Sequence, residues 1–309
     1  MTADLPVHPD APAWFRDRLG VPFTDEVVEV GGCPIHYLAW GEPGRRGLVF
    51  VHGGGAHAHW WTHIAAAFAD EYRVVAVDLS GHGDSGHRDA YRFEEWTDEV
   101  IAVAAAAGID GLPVIVGHSM GGFVTIATAA LHPEMVSGVV IVDSPVTEPD
   151  PEVEASRLKE AFGKSRTYPS VDEALARFRT VPPQARYLPY VMDHVGRRSL
   201  RPVSGSIDEG VRWKFDPSVF AQFGGGSIRG VALPYLRRIV ARFALLRCEN
   251  GLVTHDIGDF MYEELGRVAP VVELPEAGHH PMLDEPLVLL TALRALLADW
   301  DHSEPHRRR

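Results

Sequence analysis

Cysteine is scarce in this chain: 309 residues carry two, Cys33 and Cys248, with no CxxC pair. Neither a disulfide scaffold nor a thiolate metal site is indicated, because each needs several cysteines at close spacing. The two are read as buried small hydrophobes. Positive charge is also in short supply, with 29 Lys and Arg against 42 Asp and Glu and a formal net charge of −13. Binding to DNA or RNA needs a basic face that displaces phosphate counterions, so no nucleic-acid partner is expected. No apolar run approaches the roughly 18–20 residues that span a bilayer. The opening MTADLPVHPD lacks a charged-then-apolar leader. A soluble cytoplasmic protein without a membrane partner is the expectation. Internal repeats and low-complexity tracts are missing too, which leaves solenoids aside.

What is present is 46% apolar residues with 30 Gly and 23 Pro, enough to bury a large core as one big domain or two. Up to residue 145 the pattern alternates. Short β-branched runs at 48–52, 72–78, 113–117 and 136–143 read as strands buried on both faces. Ala-rich stretches with helical spacing lie between and around them, at 58–69, 93–107 and 119–132. Strict strand–helix–strand succession implies right-handed crossovers and a parallel sheet. Segments 27–31 and 34–40, split by Gly31-Gly32, predict an antiparallel hairpin leading into it. The alternation resumes with strands at 243–248 and 268–274 and helices near 255–266 and 285–300.

Residues 147–230 interrupt the pattern with repeated Pro and scattered aromatics (Phe162, Tyr168, Phe178, Tyr187, Tyr190, Trp213, Phe215). They read as an inserted helical cap between two core parts, 1–146 and 231–309, and their aromatics suggest an apolar substrate chamber. Charge follows a similar division: residues 151–250 carry a net +7 and the remainder −20. Arginines solvated on helix faces account for such an asymmetry. Lining a pocket, the same residues would concentrate an anionic substrate such as a half-ester.

The chemistry is carried by Val114-Ile115-Val116-Gly117-His118-Ser119-Met120-Gly121-Gly122, a strand running into G-x-S-x-G and straight into a helix. In that setting the pentapeptide is a nucleophile elbow, a strained turn that lifts the Ser119 hydroxyl above the sheet edge over a helix N-terminus. His52-Gly53-Gly54-Gly55 follows the 48–51 strand, and glycines there let backbone N–H groups face a pocket. The amides of Gly54 and Met120 are the candidate oxyanion hole. His57, His59 and His63 lie nearby but have no carboxylate or cysteine partner in the pattern, so no metal is expected.

With these motifs in place the sequence resembles the α/β-hydrolase superfamily, in its capped single-chain bacterial branch. The order is HGGG, then Asp78-Leu79-Ser80-Gly81-His82-Gly83-Asp84-Ser85, then GHSMGG, then Gly278-His279 followed by Met282-Leu283-Asp284-Glu285-Pro286. The resemblance runs over roughly 27–145 and 240–300. It implies a mostly parallel eight-stranded sheet with flanking helices and a cap, a Ser-His-Asp triad and no cofactor. It makes the 78–85 stretch a structural loop and His279 the base, with His280 as competitor.

The acid departs from the usual pattern. Many relatives carry it after the next-to-last strand in a segment like G-x-x-D, and here Gly251 holds that position within Cys248-Glu249-Asn250-Gly251. Asp143, at the end of the strand after the nucleophile helix, is the leading candidate, since some branches place the acid there. Glu249 and Asp256 are the alternatives. Serine at the elbow, where dehalogenases and epoxide hydrolases of the superfamily have Asp, points to acyl transfer on a small-molecule ester or lactone. Thioester hydrolysis, C–C cleavage, cofactor-free haloperoxidase or perhydrolase action and a low-turnover receptor module are the other readings.

Overall fold

The computed structural model of the protein describes residues 7–147, 166–203, 205–219 and 228–303. In chain order its strands are β1 (Phe23–Val30), β2 (Cys33–Trp40), β3 (Arg46–Val51), β4 (Arg73–Val77), β5 (Asp110–His118), β6 (Gly138–Val142), β7 (Thr167–Tyr168), β8 (Leu200–Val203), β9 (Ser206–Trp213), β10 (Arg242–Asn250) and β11 (Val271–Gly278). Eight of them form one sheet in the order β1-β2-β4-β3-β5-β6-β10-β11. The β1–β2 and β2–β4 pairs are antiparallel and the other five parallel. The β1–β2 hairpin turns through Gly31 and Gly32, whose φ of 57° and 76° is what a two-residue turn matched to strand twist demands.

Each central strand feeds two cores by simple alternation. Val49, Val51, Ile115, Val139, Ile141 and Leu245 face one layer, while Leu48, Phe50, Val116, Val140, Val142 and Leu246 face the other. All twelve are fully buried, which is why these runs read as continuous apolar stretches. The helices Phe93–Ala106, Met120–Leu131 and His255–Glu264 supply residues to the first core; Ala13–Leu19, Pro189–Arg198 and Pro286–His302 supply the second.

Three expectations are modified. The helix over 58–69 is broken into a 3-10 turn Ala58–Trp60, an α turn Thr62–Ala65 and a second 3-10 turn Ala66–Phe68. Every residue of 58–69 is buried, so packing rather than an amphipathic period sets the local backbone. The helix expected at 285–300 is present as Pro286–His302; a short turn, Pro281–Asp284, precedes it and stays separate because the residue before a proline avoids helical geometry and Glu285 takes φ −126°, ψ 51°. The insertion is not purely helical: alongside Val171–Leu175 and Pro189–Arg198 it carries a three-stranded antiparallel sheet, β7-β9-β8. The β-branched and aromatic content of β9, with Ile207, Val211 and Trp213, suits a pleated surface. The boundary drawn at 230 falls inside the helix Ile228–Leu236, whose Ala232, Leu233 and Leu236 belong to the main core. Phe162 and the other residues of 148–165 and 220–227 lie outside the described residues.

No helix among the described residues is long and apolar enough to cross a membrane. The parallel strands β3, β4, β5, β6, β10 and β11 all end at one edge of the sheet, the edge at which ligands of such sheets bind.

Candidate active site

At that edge β5 ends in His118, and the helix Met120–Leu131 starts two residues later. Ser119, between them, has φ 53° and ψ −121°, a conformation costly for a residue with a side chain and held here by its neighbours. Its N–H donates to the Val142 carbonyl at 3.1 Å, and its carbonyl accepts from Gly122 N–H at 2.9 Å. The turn closes only because two positions lack side chains. A Cβ on Gly117 would come within 2.3 Å of Thr125 Oγ1, and one on Gly121 within 2.3 Å of the His52 carbonyl.

His279 leaves the end of β11 and reaches Ser119, with Nε2 3.0 Å from Oγ. Its Nδ1 lies 2.7 Å from Asp143 Oδ2. Since the carboxylate can only accept, Nδ1 carries the proton and Nε2 is the acceptor facing the serine hydroxyl. Asp143 is fully buried just past β6, with φ 47°. Burial alone would push its carboxyl up, but the hydrogen bond to His279 and the amides of Leu252 and Val253 hold it below its ordinary value. Those amides donate at 2.7 and 3.2 Å, joined by Cys248 N–H at 3.2 Å. The loop after β10 thus supplies donors to the acid instead of the acid itself. A Cβ on Gly251 would meet the Asp143 carboxylate at 2.3–2.5 Å, so one volume beside His279 holds a side chain from β6 and requires none from β10. Of the alternatives, Glu249 accepts from Glu276 N–H at 2.7 Å and Asp256 is exposed in the first turn of its helix.

The Gly-rich loop lies directly against the elbow: a Cβ on Gly53 would sit 3.2 Å from Ser119 Cβ. Gly54 faces the cavity, and Met120 is the first residue of its helix, where N–H groups have no intrahelical acceptor. The 78–85 loop braces this segment from behind. Asp78 accepts from Ala58 N–H at 2.6 Å and Asp84 N–H at 2.9 Å, and its Oδ2 lies 2.7 Å from His36 Nδ1. Leu79 N–H donates to His52 Nε2 at 3.1 Å, so the His52 Nδ1–H donates to the Gly53 carbonyl at 2.8 Å.

His118 and Gln184 hold the 279–280 loop through hydrogen bonds that the motifs did not reveal. His118 Nε2–H donates to the His279 carbonyl at 2.8 Å, and Gln184 Oε1 accepts from His280 N–H at 2.9 Å. The only sequence signal for the first was its place beside the nucleophile. His280 bonds the Pro182 carbonyl through Nε2 at 3.2 Å. Burial pushes both His118, to about 3, and His280 down, so neither accepts a proton at neutral pH.

Among the described residues, two groups of donor atoms draw within 4.8 Å of one another, His118 with His279 and His280, and His36 with Asp78 and Asp84. Neither suits a resident metal. His279 already uses both ring nitrogens, and His36 is pushed up to about 9, where burial, which lowers it, is outweighed by the Asp78 hydrogen bond. His57, His59 and His63 have separate partners, Ser199, Thr62 and the Met282 carbonyl.

A cavity of about 550 Å³ lies between core and cap. Gly54, His57, Trp60 and His280 form its core side, the His280 ring lying 4.6 Å from that of His279, and Tyr168, Phe178, Trp213 and Phe215 line the cap side. The Trp213 ring lies 5.8 Å from that of Tyr168 and 5.5 Å from that of Phe178.

Among curated proteins the chain is 30% identical to epoxide hydrolase 4 of Mus musculus over 121 residues, 38% of this chain and 33% of that protein. It is 34% identical to esterase Rv0045c of Mycobacterium tuberculosis over 119 residues, 38% of this chain and 39% of that one. The matches therefore span between a third and two fifths of those relatives' lengths. Among solved structures, E-2-(acetamidomethylene)succinate hydrolase superposes with a TM-score of 0.78 at 22% identity, covering 90% of this chain and all of the other, a likeness of fold. The model of the alpha/beta hydrolase family matches residues 48–292, a stretch that runs from β3 through β11 and leaves out the β1–β2 hairpin, and the chain belongs to that family.

Proposed function

We propose that the protein is a serine hydrolase that cleaves a carboxylic ester or lactone through an acyl-enzyme intermediate. The observation that carries the reading is the hydrogen-bonded chain from Ser119 Oγ through His279 to Asp143, at 3.0 and 2.7 Å. Ser119 Oγ attacks the acyl carbon while His279 Nε2 takes its proton, and the buried Asp143 carboxylate stabilises the imidazolium that forms. The amides of Met120 and Gly54 are the donors suited to the developing oxyanion. His279 returns the proton to the departing alkoxide. Water, deprotonated by the same imidazole, then releases the acid and restores the serine.

Relatives named as epoxide hydrolases do not alter this reading. Opening an epoxide with a serine would leave an ether that water at this site cannot hydrolyse, whereas a serine ester turns over. A p-nitrophenyl ester of a short acid should be turned over by the wild type and slowed by about 10³–10⁶ in kcat by Ser119→Ala. A fluorophosphonate should label Ser119, read by mass spectrometry of the digested chain. Full activity in the alanine variant, or a label on another residue, overturns the proposal.

A further inference from the structure

We propose that the cavity takes an ester whose acyl or alcohol part carries a second, free carboxylate, and that Arg166, Arg177, Arg179 and Lys214 on the cap side recognise it. The inference rests on the serine-hydrolase reading for the position of the scissile bond, and on the cavity itself for the anion.

On a chain of net charge −13, this concave surface is lined, among the described residues, by four cations and no carboxylate. Two other cavities show the ordinary mixture, one holding Asp299 with Arg242 and Arg267, the other Asp193 with Arg16, Arg197 and Arg198. The four cations differ in how far they are already neutralised. Lys214 is paired with Asp84, and Arg177 has Glu173 at a loose 3.9 Å. Among the described residues, Arg166 and Arg179 have no carboxylate partner. Toward the described residues both keep their capacity for a carboxylate, which a planar fork binds with two parallel hydrogen bonds.

Placement separates the anion from the reaction. The core end of the cavity, at Gly54 and His280, adjoins the triad, whereas Arg166 stands at the start of the cap sheet and Arg177 and Arg179 follow the cap helix Val171–Leu175. The same cavity is also lined by aromatic rings, Trp60 from the core and Tyr168, Phe178 and Trp213 from the cap. A substrate that fills this space meets apolar surface as well as the cations.

The test compares monomethyl adipate with dimethyl adipate, following methanol release by the full chain. The half-ester should show the higher kcat/KM, and the advantage should shrink as ionic strength rises through 0.5 M. In the double variant Arg166→Gln/Arg179→Gln the KM for the half-ester should rise by about tenfold or more, and the half-ester to diester ratio should fall with it. Arg238→Gln, an exposed arginine outside the cavity, should leave that ratio unchanged. Equal kcat/KM for the two esters with parallel salt dependence, or an unchanged ratio in the double variant, overturns the inference while leaving the hydrolase reading intact. A chain that hydrolyses neither ester and takes no fluorophosphonate fails the hydrolase reading instead. Calorimetric titration with adipate then decides the anion site alone: binding lost in the double variant supports it, and no binding to wild type overturns it.

Discussion

Asp143 is where the chemistry of single residues is most exposed to test. Asparagine there keeps the shape but offers His279 an amide, which can hold the ring in the wrong tautomer and gives no charge to the imidazolium. Asp143→Asn should therefore fold and lose about 10³–10⁴ in kcat, whereas Glu249→Gln and Asp256→Asn should stay within about tenfold of wild type in the same ester assay. The adjacent histidines make a second contrast. His279→Ala should be as damaging as Ser119→Ala, and the double variant no worse than either, because the pair acts as one unit. His280→Ala should cost about tenfold or less, through the loop it anchors to Pro182 and Gln184. A dead His280 variant beside an active His279 variant would reverse the assignment.

At the scale of elements, the loop from Asp78 to Ser85 is a clamp on the Gly-rich segment, and its strength depends on an ionised pair. His36 is pushed up to about 9 by Asp78 despite its burial, and the Asp78 carboxyl is held well below the ordinary carboxylate range. For a histidine with a raised folded-state pKa, the stabilisation is full below about 6.5, the unfolded value, and is lost as pH rises through about 9. The aspartate's share is present above about 3.8 and is lost on acidification. The gap in urea midpoint between wild type and His36→Gln should accordingly narrow between pH 6.5 and 9.5; a gap that stays constant or widens contradicts the ion pair. This loop also marks a limit of legibility. Its motif identified a structural turn, but nothing in the spacing of Asp78 and His36 announced that a residue of β2, 42 positions earlier, holds the carboxylate. The strands and the elbow were readable because alternation, β-branching and glycine spacing are local. The broken helix at 58–69 and the sheet within the cap were not, because the first is shaped by burial on all sides and the second pairs β7 with a strand more than forty positions further on, Thr167 with Arg212 and Tyr168 with Val211.

The whole molecule divides into a sheet with a core on each face and a cap with a small core of its own, Ala174, Leu200 and Val211 under Tyr168 and Trp213. Among the described residues, so few buried side chains give the cap sheet little to resist local opening. In hydrogen exchange, the amides of β3, β5, β6 and β10 should be the slowest, and those of β8 and β9 should exchange well before them. Equal protection would mean that cap and core unfold as one unit. Along the carboxyl edge, neighbouring strands divide the groups of the proposed triad: β5 leads to Ser119, β6 to Asp143, β10 to the amides that cradle the Asp143 carboxylate and β11 to His279. The close approach of Gly251 to Asp143 makes the two acid positions mutually exclusive. Between a site with a carboxylate at position 251 and this one, with Asp143 after β6, there is no smooth single-step route. One order of substitution passes through an overfilled site and the other through an empty one. Gly251→Asp alone should lower activity and stability, Asp143→Gly alone should abolish turnover, and the two together should recover at least tenfold over Asp143→Gly, a sign reversal that records how one vacancy in a loop fixes the history open to the site.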